Sequence, residues 1–295
     1  MLFSVIIPSY NRLELLKEAL DSVWWQTFTD YEVIVVDDGS SDGTWEYLLS
    51  QGERLTALRQ ANAGPGPARN LGAKHAKGEY LAFLDSDDLW FPWTLATYHS
   101  VIKENGLPSF IAGKPFRFDH ADQLARVESE QLEVLNFRDY YESGDEWRWH
   151  GVSSFVIRRN VFQGSGGFPN DFFNGEDADL AMRLGVSPGF IQIVRRCSFG
   201  YRNHGGNITK DVINGLSGIN RNLTHEQTGV YPGGSMRAKE RSRILTRQVR
   251  SASLEYLHAR LISEAWHLYR QTFFWHVRLG RWKYLLGFPV KALLS

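Results

Sequence analysis

An α/β fold built on a doubly wound sheet is predicted by three features of this 295-residue chain. Strand-like and helix-like segments alternate through the first hundred residues, short apolar runs recur between them, and two of those runs end in acidic clusters. Val33-Ile34-Val35-Val36 leads into Asp37-Asp38-Gly39-Ser40, and Tyr80-Leu81-Ala82-Phe83-Leu84 leads into Asp85-Ser86-Asp87-Asp88. Runs rich in β-branched and aromatic residues mark strands buried on both faces of a parallel sheet. The carboxyl ends of such strands are where open α/β sheets bind ligands. Five carboxylates converging there would repel each other unless a cation neutralised them. The clusters therefore point to a cation-assisted site for an anionic, phosphorylated substrate.

The elements follow in order. Phe3 to Ile7 reads as a strand, and Leu13, Leu16, Leu20, Val23 and Trp24 form a helical stripe. Tyr31 to Val36 is a second strand, followed by a helix over Thr44 to Ser50 and a weaker strand over Leu55 to Arg59. Ala63-Gly64-Pro65-Gly66-Pro67 opens a helix through proline, and Gly78 closes it before the strand Tyr80 to Leu84. This alternation predicts parallel strands joined by right-handed crossovers. Farther on, Ser109 to Phe118, Val152 to Ile157, Phe190 to Val194 and Ser198 to Tyr201 read as strands. Residues 119–150 show no clear period, and the Gly-, Asn- and Thr-rich stretch from Gly205 to Gly234 reads as a loop. From Arg237 onward the pattern is helical, with Leu254, Leu257, Leu261, Ala265 and Leu268 on one face.

Composition is that of an ordinary globular protein, 43% apolar and 22% charged with no net charge, but the balance conceals an asymmetry. Twelve Lys/Arg against three Glu follow from Arg237 to the end, a net of +9, so the preceding residues carry −9. A basic region of this kind implies a partner of its own. The single cysteine, Cys197, excludes an intrachain disulfide and a multi-cysteine zinc site, and it reads as a small core residue. Met1 to Ile7 lacks the basic start and cleavage site of a signal peptide, and no apolar stretch approaches the ~20 residues that span a bilayer. A cytoplasmic protein, in solution or peripheral on a membrane, is the expectation. No G-x-G-x-x-G follows a strand, which disfavours a dehydrogenase.

Read alone, each motif has a plain structural alternative. Asp85-Ser86-Asp87-Asp88 can hold a hard divalent cation or cap a helix, and Asp37-Asp38-Gly39-Ser40 can accept from a base or ribose or simply turn the chain. Arg69 fits a phosphate clamp and a surface ion pair equally well. Asp179 and Arg183 are spaced as a structural i,i+4 pair.

Their order and spacing carry a resemblance. Pro8-Ser9-Tyr10-Asn11, Asp37-Asp38-Gly39-Ser40, Gly64 through Ala68-Arg69-Asn70, Asp85-Ser86-Asp87-Asp88, Gly166-Gly167-Phe168 and Glu176-Asp177 occur together over roughly residues 3 to 207. As a set they resemble the family 2 inverting glycosyltransferases. The resemblance implies the GT-A fold, a Rossmann-like doubly wound mixed sheet, here with a C-terminal helical extension. It implies a nucleotide-diphospho-sugar donor, with UDP the commonest carrier, and Mn²⁺ or Mg²⁺. Pro8, Ser9, Tyr10 and Asn11 would line the nucleotide pocket, Asp38 would bind the base, and Arg69 would sit close to the donor. Asp85 and Ser86 would approach the ribose or metal. Asp87 would be the principal metal ligand with Asp88 in support, and His204 would reach the metal or diphosphate unless it is an ordinary loop histidine. Asp177 would be the catalytic base.

On this resemblance residues 1–110 form the nucleotide-sugar-binding half, 111–235 the acceptor-binding half and 236–295 a basic, aromatic helical extension. The expected activity is non-processive transfer of one sugar to a glycan or lipid-linked acceptor in surface polysaccharide or glycoconjugate synthesis. Processive relatives carry Gln-x-x-Arg-Trp soon after the catalytic acid. Here Arg278-Leu279-Gly280-Arg281-Trp282 has Arg in place of Gln and lies about a hundred residues after Asp177. A catalytically silent glycan-binding or scaffold protein on the same fold is the alternative, although Asp85, Asp87 and Asp177 argue against it. A sugar nucleotidyltransferase is a further one, although it would carry a basic, glycine-rich loop near the first strand. The 237–295 segment, with basic and aromatic residues interleaved, fits an anionic membrane surface and a helical subdomain or homo-oligomer contact equally. No nucleic-acid module is present.

Overall fold

The computed structural model describes residues 1–146, 151–171, 174–205 and 212–294. Strand β1 (Phe3–Ser9) leads into helix α1 (Leu13–Trp24), β2 (Tyr31–Asp37), α2 (Thr44–Ser50), β3 (Thr56–Arg59), α3 (Pro65–His75) and β4 (Tyr80–Phe83). There follow β5 (Leu89–Trp90), α4 (Thr94–Glu104), β6 (Phe110–Ala112), β7 (Pro115–Phe118), β8 (Glu133–Phe137), α5 (Tyr140–Ser143), β9 (Phe155–Arg158) and α6 (Arg159–Gly164). The chain continues through α7 (Glu176–Arg183), β10 (Phe190–Arg195), β11 (Phe199–Arg202), α8 (Val212–Gln227), α9 (Ala238–His258), α10 (Ile262–Arg278) and α11 (Trp282–Leu294).

Two compact units emerge. The first comprises residues 1–140, 148–172 and 187–205, and the second 141–147, 173–186 and 206–295. The stretch 111–235 thus supplies segments to both.

The first unit is a mixed α/β layer structure. Its main sheet has the strand order β3-β2-β1-β4-β9-β6-β10-β8. The first four strands are parallel, β9 runs antiparallel to both β4 and β6, β10 is parallel to β6, and β8 is antiparallel to β10. All seven residues of β1 are buried, as befits a central strand covered on both faces. Phe3, Val5 and Ile7 join Leu16, Leu20 and Val23 of α1 and Tyr98 and Val101 of α4 in one core. On the other face α3 packs close because it has glycine at 72: a Cβ there would lie 2.7 Å from Ile6 Cγ2.

Sequence expectation and structure part company at three places here. The apolar run Ser109 to Phe118 is two strands. β6 belongs to the main sheet and β7 to a small sheet of order β5-β11-β7, because at Gly113 the chain changes partners: Gly113 N–H donates to Ser154 O, and Lys114 O accepts from Ser198. Hydropathy alone does not encode which strand a run pairs with. The run Val152 to Ile157 begins as a 3₁₀ turn, Val152–Ser154, before β9. The aperiodic 119–150 stretch holds β8, α5 and a 3₁₀ turn over Ala121–Arg126.

The second unit is helical. The segment expected as a loop from Gly205 to Gly234 contains α8, so that expectation is corrected over its described part. Leu216, Ile219 and Leu223 recur at helical spacing among the Gly and Asn residues that masked it. Gly218 is required there, since a Cβ would lie 1.6 Å from the Asn174 carbonyl oxygen. The stripe read as one face from Leu254 to Leu268 is broken between α9 and α10, where Arg260 adopts φ +60°. Within the C-terminal helices Tyr269 stacks on Phe288 with ring centroids 4.7 Å apart, Trp266 meets the same ring edge-on, and the Tyr269 hydroxyl donates to Leu285 O. Among the described residues no helix is long and apolar enough to cross a membrane.

Candidate active site

The carboxyl ends of β1, β2 and β4 carry the site residues of the first unit. Ser9 ends β1, and its carbonyl accepts from the amide of Asp38 just past β2. Its buried hydroxyl has no hydrogen-bond partner among the described residues. Pro8 pairs in register with Val36 of β2, and Tyr10 is half exposed beyond the strand. Asn11 takes a left-handed conformation, φ +50°, which Asn tolerates better than most residues. Its side-chain oxygen accepts from Ser41 N–H at 2.8 Å while its own amide donates to Ser40 Oγ at 2.9 Å. The loops after β1 and β2 are thereby tied to each other.

Asp38 is buried and accepts three bonds, from Gln60 Nε2 at 2.7 Å, Ala63 N–H at 2.9 Å and Gly64 N–H at 2.8 Å. A carboxylate has about four acceptor positions, so one remains for a ligand while the others hold the turn that opens α3. Its neighbour Asp37 is occupied by Arg59 Nε at 3.0 Å and by Ser40 N–H.

Past β4, Asp85, Asp87 and Asp88 present carboxylate oxygens that all lie within 4.8 Å of one another. Each has a different set of partners. Asp85 is paired with Arg69 at 2.6 Å, and Arg69 is itself 4% exposed and lies over the Phe168 ring at 5.1 Å. Of the readings that the sequence left open for Arg69, the structure shows the ion pair, buried rather than on the surface. Asn70 holds Phe168 in place through two bonds of 2.8 Å, which explains why Gly166-Gly167-Phe168 belongs with the α3 motif. Ser86 is buried between the acids. Asp87 is ion-paired with Arg12 and lies 2.9 Å from His204 Nε2. Asp88 is buried and accepts from Ser153 Oγ at 2.6 Å and from the Arg202 amide at 3.1 Å.

Burial, reinforced by the neighbouring Asp87 and Asp85 charges, pushes the Asp88 carboxyl well above the usual range, against the pull of its two donors. Hard carboxylate oxygens within 4.8 Å of one another, with an imidazole nitrogen beside them, fit a divalent cation. Both oxygens of Asp88 are already engaged by these donors.

Arg12, Ser153 and Arg202 were missed from sequence. Arg12 directly follows Pro8-Ser9-Tyr10-Asn11, and Arg202 opens Arg202-Asn203-His204, so adjacency to a motif was the available signal. Arg202 also donates from Nε to the Asp87 carbonyl at 3.0 Å. Ser153 carried no such signal, being 65 residues from Asp88.

In the second unit Asp177 stands half-buried in the first turn of α7, where its carboxylate accepts from Ala178 N–H at 2.7 Å. Asp179 is fully buried and accepts from Arg183 Nε at 2.8 Å, His225 Nδ1 at 2.7 Å and the Tyr231 hydroxyl at 3.1 Å. The i,i+4 pair is present as expected, and it anchors the turn that carries Asp177.

A mixed sheet of this order, with an Asp-x-Asp cluster at the strand ends, defines a GT-A fold. The chain belongs to glycosyl transferase family 2, whose family model matches residues 4–165. An uncharacterized glycosyltransferase of Rickettsia felis is 42% identical over 104 residues, which are 35% of this chain and 17% of that protein, so this chain spans only a small part of that relative's length. Among solved structures, Staphylococcus aureus TarS 1–349 in complex with UDP-GlcNAc matches with TM-score 0.59 at 19% identity, over 95% of this chain and 92% of that one. The mannosyltransferase PcManGT from Pyrobaculum calidifontis, in complex with GDP-Man and Mn²⁺, matches with TM-score 0.54 at 20% identity, over 99% and 86%.

Proposed function

We propose that this protein is a divalent-cation-dependent inverting glycosyltransferase. It moves one sugar from a nucleotide-diphospho-sugar, in our reading a UDP-sugar, to a hydroxyl of a glycan or lipid-linked acceptor. The observation that carries this reading is the convergence of Asp85, Asp87 and Asp88, just past β4, with His204, just past β11. TarS bound to UDP-GlcNAc and PcManGT bound to GDP-Man and Mn²⁺ support the donor class.

In this reading residues 1–110 serve the donor, 111–235 the acceptor, and 236–295 form the extension. The Ser9 hydroxyl and the remaining acceptor position of Asp38 meet the nucleoside, with Pro8, Tyr10 and Asn11 shaping the pocket. Asp87, Asp85 and His204 would hold Mn²⁺ or Mg²⁺, with Ser86 between them. The ion would supply charge stabilisation for the departing diphosphate. Arg12 orients Asp87, and Arg69 orients Asp85 while covering the donor.

Asp177 accepts the proton of the acceptor hydroxyl. That oxygen bonds to the anomeric carbon from the face opposite the diphosphate, the bond to the donor phosphate oxygen breaks, and the nucleoside diphosphate leaves with the electron pair. One displacement inverts the configuration, and one transfer per encounter makes the enzyme non-processive. The reading places the protein in the cytoplasm, in surface polysaccharide or glycoconjugate synthesis, peripheral to the membrane where the acceptor is lipid-linked.

The test is donor binding and hydrolysis across a panel of nucleotide-sugars with and without Mn²⁺. Metal-dependent binding of one donor by the wild type, lost in Asp87→Asn, is the expected result. Metal-independent binding, or turnover by Asp87→Asn equal to wild type, would overturn it.

A further inference from the structure

The C-terminal aromatics divide into two sets. Trp266, Tyr269, Tyr284 and Phe288 stack on one another inside the second unit. A second set faces outward. On α11, Leu285, Phe288 and Ala292 are buried, whereas Trp282, Leu286, Val290 and Leu293 are 57%, 71%, 57% and 85% exposed. The exposed four recur at i, i+4, i+8 and i+11, so they share one side of the helix. Phe274 near the end of α10 adds a ring that is 80% exposed.

Along the chain that carries this face, charge from Ala265 onward has one sign. From Ala265 to the last residue there are five Lys/Arg and no Asp or Glu. Arg281 is committed to Asp145 at 2.7 Å. Arg270, Arg278, Lys283 and Lys291 are exposed. An apolar stripe with an exposed Trp, on a stretch of chain whose own charged residues from Ala265 onward are all basic, is complementary to an anionic lipid surface, where apolar side chains enter the acyl boundary and cations meet the headgroups. A second copy of the chain is the poorer occupant, because a two-fold contact would set these basic residues against their own copies.

We propose that the outward face of α11, with Phe274 and Arg278 of α10, is a membrane-docking surface that lays α11 in the headgroup plane of an anionic bilayer. The surface operates whether or not the transferase reading holds, since docking needs no donor, metal or acceptor.

Vesicle sedimentation of the whole chain tests it. The wild type should sediment with vesicles of equal parts phosphatidylcholine and phosphatidylglycerol, weakly with phosphatidylcholine alone, and less as salt screens the basic residues. Leu286→Glu/Leu293→Glu alters only exposed positions, so folding by circular dichroism and donor binding should be unchanged while vesicle binding is lost. Lys283→Gln/Lys291→Gln should weaken binding to the anionic vesicles by about tenfold or more and leave the neutral ones unaffected. Equal wild-type sedimentation with neutral and anionic vesicles, or undiminished binding by Leu286→Glu/Leu293→Glu, would overturn the proposal. So would a wild-type dimer in light scattering that the same variant converts to monomer, which would assign the face to a second copy.

Discussion

His204 Nε2 lies 2.9 Å from a carboxylate oxygen of Asp87 although 117 residues separate them in the chain. The small sheet makes the contact. β11 pairs with β5 just past Asp88, and the Arg202 amide and guanidinium then bond to Asp88 and Asp87. His204→Ala should therefore raise the half-saturating Mn²⁺ concentration by at least about 10–100-fold, the range for losing even an outer-shell partner at a metal site. A Mn²⁺ titration of donor binding reads this, and an unchanged midpoint would remove His204 from the site.

Asp177→Asn separates the acceptor step from donor binding. Loss of the proposed general base should lower the transfer rate by about 10²–10⁴-fold and leave the dissociation constant for the nucleotide-sugar unchanged. Single-turnover transfer with calorimetry on the same sample tests both halves. A variant that transfers at the wild-type rate would move the base elsewhere.

Ser153→Ala should be destabilising out of proportion to its size. The hydroxyl donates to Asp88 and accepts from the amide of Asp85, both at the centre of the acidic cluster. Removing it leaves a buried carboxyl short of a partner, at a cost of about 1–3 kcal/mol. Denaturant unfolding gives the value, and a change under about 0.5 kcal/mol, as for an ordinary surface substitution, would contradict the assigned role.

Gly72→Ala inserts a methyl into the contact between α3 and β1. With Ile6 Cγ2 only 2.7 Å from the new Cβ, overpacking should cost about 1–3 kcal/mol, read as a lower thermal midpoint. The helix propensity of alanine works in the opposite direction by roughly 1 kcal/mol, so an increase in stability would show that α3 can move away from the sheet.

His276 should make the helical unit acid-sensitive. Its ring is fully buried, neither nitrogen has a hydrogen-bond partner among the described residues, and burial with the Arg281 and Arg250 charges pushes its pKa from 6.5 down to about 3. The unfolded chain binds this proton more readily than the native one. Its contribution to stability is therefore complete above the unfolded pKa and is lost as pH falls toward the native value, at up to about 1.4 kcal/mol per pH unit. His276→Phe should flatten that slope in unfolding measured across the window, and an unchanged slope would place the acid sensitivity elsewhere.

Local pattern determined much of this protein. The apolar runs of β1, β2 and β4 and the stripe of α1 follow from periodicity, because strands buried on both faces and amphipathic helices must distribute apolar residues in those ways. Of the two acidic clusters, the one after β4 gathers three carboxylates as a candidate cation site, whereas Asp37 and Asp38 after β2 are engaged by Arg59, Gln60 and the turn into α3. Pairing was beyond local reading. The division of Ser109 to Phe118 between two sheets depends on partners at Ser154 and Ser198. The helix α8 was concealed by glycines, of which Gly218 exists to let Asn174 approach. Sequence also counted the basic and aromatic residues after Arg237, but only packing sorted Tyr269 and Phe288 inward from Trp282 and Leu286 outward.

The same boundary runs through the site. The sequence by itself determined which carboxylates gather, because Asp85, Asp87 and Asp88 are neighbours in the chain and one strand end presents them together. Only the tertiary structure decided how their charge is met: Arg12, Arg69, Ser153, Arg202 and His204 arrive from other elements. Hydrogen bonds and ion pairs act over a few ångströms of space, and distance along the chain does not report distance in space.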